Sequence, residues 1–269
     1  MHRRMILTWS LVAVTVVAGF GRSEDAVPPK TVSVLPIFYV LKGEDPPTAE
    51  QSKKLLQHLG LSRTRYLELL SKRDTFTIAD EKPRVYRSKN NLAYYRAAVE
   101  GGAPEVVSNL LADLKVNRHN CPYILLTVLM NPRDDFPTGG GRPLNGGFDT
   151  GGGIIVISSF ALDRIPNFQS TLQHELGHSF GLPHVDVYGF DMKTNDSIMS
   201  YNPKHHTKGL TPSRAGKLNP EDVLGLSMNQ RVFPKLVFDP KTDVPKGYAL
   251  APQIIPLGPM KIPAKRRSS

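Results

Sequence analysis

The sequence predicts an α/β fold, an α+β arrangement of a mixed sheet with helices, and three observations carry that expectation. Runs rich in β-branched and aromatic residues alternate along the chain with segments of helical apolar spacing. One such run, residues 123–130 (YILLTVLM), is apolar throughout, as expected of a strand buried on both faces. The 269 residues are 40% hydrophobic and 22% charged, an ordinary globular balance in a chain long enough to build a core.

The elements follow in order. Residues 1–5 are basic, 6–20 carry no charge, and 19–23 are mostly small: the order of a secretory signal. A membrane-spanning helix needs about 20 apolar residues, which disfavours an anchor. The expectation is an exported, secreted protein with a signal peptide over 1–23. Removal of that segment takes away Arg3, Arg4 and Arg22 and lowers the formal charge from +10 to +7. Residues 31–41 (TVSVLPIFYVL) read as a strand, and 48–70 as helix, with Gly60 as a break. A short strand is expected at 83–87. One or two helices follow over 91–114, interrupted at Gly101-Gly102.

Beyond the buried strand at 123–130 lies a glycine-rich loop, 131–153, implying mobility or close backbone approach. Its acids Asp134, Asp135 and Asp149 could bind calcium or stand as solvated loop acids. Residues 154–159 (IIVISS) form another strand. Asn167 caps a helix that runs to about Phe180. An irregular stretch over 181–218 ends where Asn219-Pro220-Glu221-Asp222 opens a last helix, with Asn as cap, Pro in the first turn and acids at the positive helix end.

These elements place one folded domain over 24–233 and a basic, proline-rich tail over 234–269, expected to be flexible. The tail holds seven prolines, seven basic residues and two acids. Most of the mature positive charge therefore sits on a segment without a predicted fold. That argues against a nucleic-acid surface and leaves a solvated tail or a contact with an anionic cell surface. Part of it, around 248–257, could pack along the body. The single cysteine, Cys121, excludes an intramolecular disulfide and reads as a small buried hydrophobe.

The informative segment is His174-Glu175-Leu176-Gly177-His178-Ser179-Phe180-Gly181-Leu182-Pro183-His184. On a helix, i and i+4 lie about 40° from alignment and about 6 Å apart along the axis, so His174 and His178 can share one Zn2+. Glu175 is displaced by about 100°, placed to reach a metal-bound water rather than the ion. Gly181 ends the helix and Pro183 extends the chain, letting His184 return as third ligand. Three ligands leave a fourth position open, as in catalytic zinc sites. His2, His58 and His119 read as surface or satisfied core residues. His205 and His206 are placed near the cleft or on the surface.

This motif resembles that of the metzincin clan of zinc metallopeptidases. The clan's methionine turn has a counterpart in Ser197-Ile198-Met199-Ser200-Tyr201, with Met199 as an apolar floor beneath the histidines. The tyrosine two residues on resembles the serralysin and astacin branches and makes Tyr201 a candidate catalytic residue beside Glu175. No acid immediately follows His184, unlike those branches. The resemblance implies an upper sheet-and-helix subdomain and a smaller lower one flanking the zinc cleft. It implies hydrolysis of a protein or peptide held in extended conformation, with residues 154–159 as the edge strand that pairs with substrate; the alternative is that this strand is internal. A zinc-dependent hydrolase of a non-protein cell-envelope substrate, or a zinc-binding protein without turnover, stay open beside the endopeptidase.

Overall fold

The computed structural model describes residues 30–98, 103–131, 140–145, 152–164, 168–205, 216–252 and 254–258. The expected signal peptide, the cap Asn167, the acids Asp134, Asp135 and Asp149, and His206 lie outside them. Among the described residues no helix is long and apolar enough to cross a membrane.

The fold is α/β. Five strands, β1 (Ser33–Val40), β2 (Arg84–Arg87), β3 (Tyr123–Met130), β4 (Gly140–Pro143) and β5 (Gly153–Ser158), form one sheet in the order β2-β1-β3-β5-β4. The first four of that order run parallel and β4 is antiparallel at the edge. Period-two alternation sends each central strand's side chains to both faces. Val34, Phe38 and Val40 of β1 enter one apolar cluster and Leu35, Ile37 and Tyr39 the other. Pro36 is tolerated inside β1 because its position alternates with Val34, whose N–H and C=O bond to residues 77 and 79 on the β2 side. Pairing with β2 begins only at Ile37, so no ladder donor is lost there.

Helices cover both faces. α1 (Ala49–Leu69), α4 (Ser159–Arg164) and α5 (Phe168–Ser179) pack with the first cluster; α2 (Leu92–Ala98) and α3 (Ala103–Asp113) pack with the second. After α5 the chain is mostly irregular, with short 3-10 turns at Val185–Tyr188 and Pro203–His205. It then forms α6 (Pro220–Met228) and α7 (Pro240–Asp243). Thr48 caps α1 in a full capping box with Gln51, and Asn219 does the same for α6 with Asp222.

Three expectations are corrected. α1 runs unbroken through Gly60, where a helical glycine costs about 1 kcal/mol against alanine, while Leu55, Leu59 and Tyr66 are fully buried on one face. The strand at 153–158 is internal, not an edge: β3 flanks it on one side and β4 on the other. The tail, expected to be flexible, is tied to the body at points along 234–252 and 254–258, which include the stretch around 248–257 expected to pack. Leu236 lies in the core. Arg73 holds Asp243 bidentately at 2.6 and 2.8 Å. Tyr248 Oη and the Ala251 N–H donate to the two oxygens of Glu221 at 2.9 and 2.8 Å, and the Leu257 N–H donates to Gly181 O at 3.0 Å. Prolines forbid regular ladders, but an extended segment can still supply donors to acceptors on the body.

Candidate metal centre

α5 is held from below by α1. The buried His58 donates from Nδ1 to Gln169 Oε1 at 2.7 Å, Gln169 donates to Ser62 Oγ at 2.8 Å, and Tyr66 Oη donates to Gln173 O at 2.9 Å. Leu172 and Leu176 fill the core beside them. The opposite side of α5 therefore carries His174 and His178 into the cleft.

Gly181 terminates α5 at φ 105°, a left-handed conformation that glycine adopts without penalty. Leu182 N bonds Gly177 O and Gly181 N bonds His178 O, both at 3.0 Å, the paired closure of a Schellman turn. The turn also delivers Leu182 O to His178, whose Nδ1–H donates to it at 2.8 Å. His184 follows in extended conformation.

The methionine turn supplies the matching support. Ile198 O accepts from His174 Nδ1 at 2.8 Å. The Ser197 hydroxyl accepts from Met199 N at 3.1 Å and donates to Asp222 Oδ2 at 2.7 Å; Asn219 N donates to the same oxygen at 2.9 Å. Asp222 thus tethers the turn to α6. Met199 is fully buried, and its Sδ occupies the space where any Cβ on Gly177 would sit. That contact explains a glycine in mid-helix between the ligands.

With both Nδ1 atoms donating, the Nε2 atoms of His174 and His178 are left as bare acceptors. They lie 3.0 Å apart, and His184 Nε2 is 3.2 Å from the first and 3.0 Å from the second. Zinc–nitrogen bonds of about 2.0–2.1 Å at tetrahedral angles would set such atoms about 3.3 Å apart. The bare lone pairs of His174 and His178 repel at that spacing unless a cation lies between them, and the neutral His184 ring can turn a third lone pair to the same point. Burial lowers the imidazole pKa of His174 to about 4 and of His178 to about 3, and lowers that of His184 too, keeping the rings in the neutral form that binds metal. Among the described residues these three histidines are the group able to hold a metal ion, and the donor set fits zinc.

Glu175 points off the same helix beside them. Burial pushes its carboxyl up to about 7, opposed by a hydrogen bond from the Gly141 N–H. Gly141 belongs to β4, and a Cβ there would collide with the Glu175 backbone. The edge strand therefore lies directly against the motif helix. Tyr201 Oη is 3.0 Å from His184 Nε2, its ring packs near His174 and His184, and it is 56% exposed, so it lies at the open side of the cluster. His205 is buried, and its charge would act on His174.

The structure brings together the ring nitrogens of His174, His178 and His184, sets the Tyr201 hydroxyl against His184, and carries Glu175 on the same helix as the first two. Two participants escape sequence reasoning. β4, drawn from the glycine-rich loop, has no strand signature, although its glycines signal close backbone approach. Asp222 reads in sequence only as a helix-opening acid, and its bond to Ser197 spans 25 positions.

No family model matches the chain and no curated protein matches it. Among solved structures it is similar to OgpA from Akkermansia muciniphila, at 17% identity over 84% of this chain and 68% of that one, with a TM-score of 0.49. A catalytically inactive OgpA in complex with an O-glycopeptide substrate, glycodrosocin, aligns at 19% identity, 71% and 61% coverage and a TM-score of 0.44. Metalloproteinase-II from Bacteroides fragilis aligns at 16% identity, 74% and 54% coverage and a TM-score of 0.36. All three likenesses fall below 20% identity and below a TM-score of 0.5.

Proposed function

We propose that this protein is an exported, zinc-dependent endopeptidase of metzincin type that hydrolyses peptide bonds in an extended chain. The observation that carries the reading is the convergence of three histidine Nε2 atoms, at the helix that carries Glu175 and against an edge strand. His174, His178 and His184 would hold one zinc ion, which supplies a water acidified toward a pKa of about 7 and a Lewis acid for the scissile carbonyl. Glu175 accepts the proton of the attacking water and passes it to the leaving amine. Tyr201, free to turn on the exposed side, donates its hydroxyl to the oxyanion that develops at the carbonyl. The substrate backbone pairs with the outer edge of β4, which replaces the strand at 153–158 in that role and sets the scissile bond over the histidines. Gly141 contributes by having no side chain: any Cβ would push β4 away from Glu175.

The test is digestion of denatured casein by the mature protein, with and without a chelator. Cleavage is expected, lost with chelator and restored by zinc. Glu175→Gln is expected to abolish it while retaining about one zinc per chain, whereas His178→Ala loses the metal as well. A Glu175→Gln protein that is empty of metal, or that still digests casein, would remove Glu175 from the role of base.

A further inference from the structure

The strand proposed to meet substrate is poorly equipped to hold itself. β4 is four residues long, Gly140-Gly141-Arg142-Pro143, and among the described residues it pairs with β5 alone. Its two glycines have no side chains to pack, and Pro143 has no N–H for a ladder. Its C-terminal end is held by residues distant in sequence. Leu144 is fully buried in the second apolar cluster, and its N–H closes the hairpin on Gly152 O at 2.9 Å. The Arg118 guanidinium donates from Nη2 to Leu144 O at 2.6 Å and from Nε to Asn145 Oδ1 at 3.1 Å. The Asn145 amide donates back to Arg118 O. The two residues thus lock each other across 27 positions, and the planar guanidinium fork fixes direction as well as distance. Arg118 itself stands on a braced loop. Asn117 Oδ1 accepts from the N–H groups of His119 and Asn120 at 2.8 and 3.1 Å, and Asn117 N–H donates to Asn120 Oδ1 at 2.8 Å. This loop runs into the buried Cys121 and into Pro122, whose carbonyl accepts from Ser33 N at 3.1 Å at the start of β1. The clamp therefore ties the end of β4 to the middle of the sheet.

We infer that Arg118 is a positioning residue for substrate binding: with Asn145 it fixes the C-terminal end of β4, so that the outer edge of the strand is in place before an extended peptide pairs with it. The inference rests on the endopeptidase reading, because it needs a substrate that adds to this edge. An edge ordered in advance spares the complex the entropy of ordering it, so the clamp acts on binding. The same edge contacts persist from bound substrate to transition state, so loss of the clamp raises KM and leaves kcat nearly unchanged.

Two measurements test it. The first is amide hydrogen exchange of the zinc-loaded protein, read by mass spectrometry. Arg118→Gln is expected to speed exchange over residues 140–145 at least about fivefold and to leave β3 within about twofold. The second is kinetics on a casein-derived peptide of about eight residues that the wild type cleaves, and on a form trimmed to about two residues on each side of the scissile bond. For the longer peptide Arg118→Gln should raise KM at least about fivefold with kcat within about twofold. The trimmed peptide has fewer strand bonds to lose, and its kcat/KM should change by less than about twofold. Asn145→Ala should act in the same direction but less, because Leu144 O keeps its donor. Arg118→Lys can reach one acceptor without the fork and should recover part of the loss. Arg87→Gln, exposed on β2 at the far edge of the sheet, should alter neither measurement. Unchanged exchange over 140–145, exchange raised equally in β3, or a wild-type KM for the longer peptide overturns this inference alone. Failure of the wild type to cleave casein overturns the endopeptidase reading and the substrate role of Arg118 with it, and the exchange arm then decides by itself whether Arg118 holds β4.

Discussion

Tyr201 differs from the other cluster residues in being held by little besides its own turn. Its backbone N–H bonds Met192 O at 2.7 Å, but its ring is more exposed than covered, and its hydroxyl meets the Nε2 of His184. A ring so placed can shift by a rotamer change without disturbing the core. Burial and the nearby charges of Glu175 and Asp186 raise its phenol pKa, so it keeps its proton and can donate it in a hydrogen bond. An oxyanion donor is typically worth about 2.7–4 kcal/mol, or roughly 10²–10³ in rate. Tyr201→Phe is therefore expected to lower kcat at least about tenfold, with zinc content and melting temperature unchanged. Wild-type kinetics in that variant would reduce Tyr201 to a packing residue.

At the scale of elements, the segment following α7 acts as a strap. Glu221 is fully buried at the start of α6, and both its oxygens are satisfied from that strap, by Tyr248 Oη and Ala251 N. A buried carboxylate stripped of its donors is costly, and a hydrogen bond to a charged group contributes about 1.5–3 kcal/mol. The same strap reaches the turn behind the metal helix through Leu257 N and Gly181 O. Truncation after Phe233 is thus expected to destabilise the fold, and Tyr248→Phe to cost about 1–3 kcal/mol in urea unfolding. A truncated protein as stable as the full chain would show that these contacts contribute nothing net.

For the whole molecule, Asp222 makes stability depend on pH. It is fully buried, and burial raises its carboxyl pKa to about 7, against donation from Ser197 and Asn219. In the unfolded chain an aspartate titrates near 3.9. Between these values the unfolded state has released the proton while the native state keeps it, so stability falls as pH rises from about 4 to about 7 and levels off above. The loss from this one group is on the order of a few kcal/mol. Asp222→Asn keeps an acceptor for Ser197 and Asn219 but cannot ionise. Its stability should therefore improve relative to wild type as pH rises through that window, as followed by chemical denaturation at several pH values. Parallel curves for the two proteins would mean that Asp222 ionises as readily folded as unfolded.

What the sequence by itself determined is what short-range geometry dictates. His174 and His178 share a helix face because 3.6 residues make a turn. Gly181 and Pro183 end that helix and turn the chain back because their backbone preferences are intrinsic. Asn219 and Asp222 announce the start of α6, and the apolar run at 123–130 announces a central strand. The tertiary structure alone decided which strand lies at the edge. β4 carries Gly-Gly-Arg-Pro and has little strand propensity, and it pairs because β5 offers an open ladder beside α5. It alone paired His174 with Ile198 O, His178 with Leu182 O and Ser197 with Asp222, since a hydrogen-bond acceptor leaves no periodic trace in a sequence. It also seated residues 234–252 and 254–258, because composition reports whether a segment can order itself and says nothing of the acceptors waiting on a surface elsewhere in the chain.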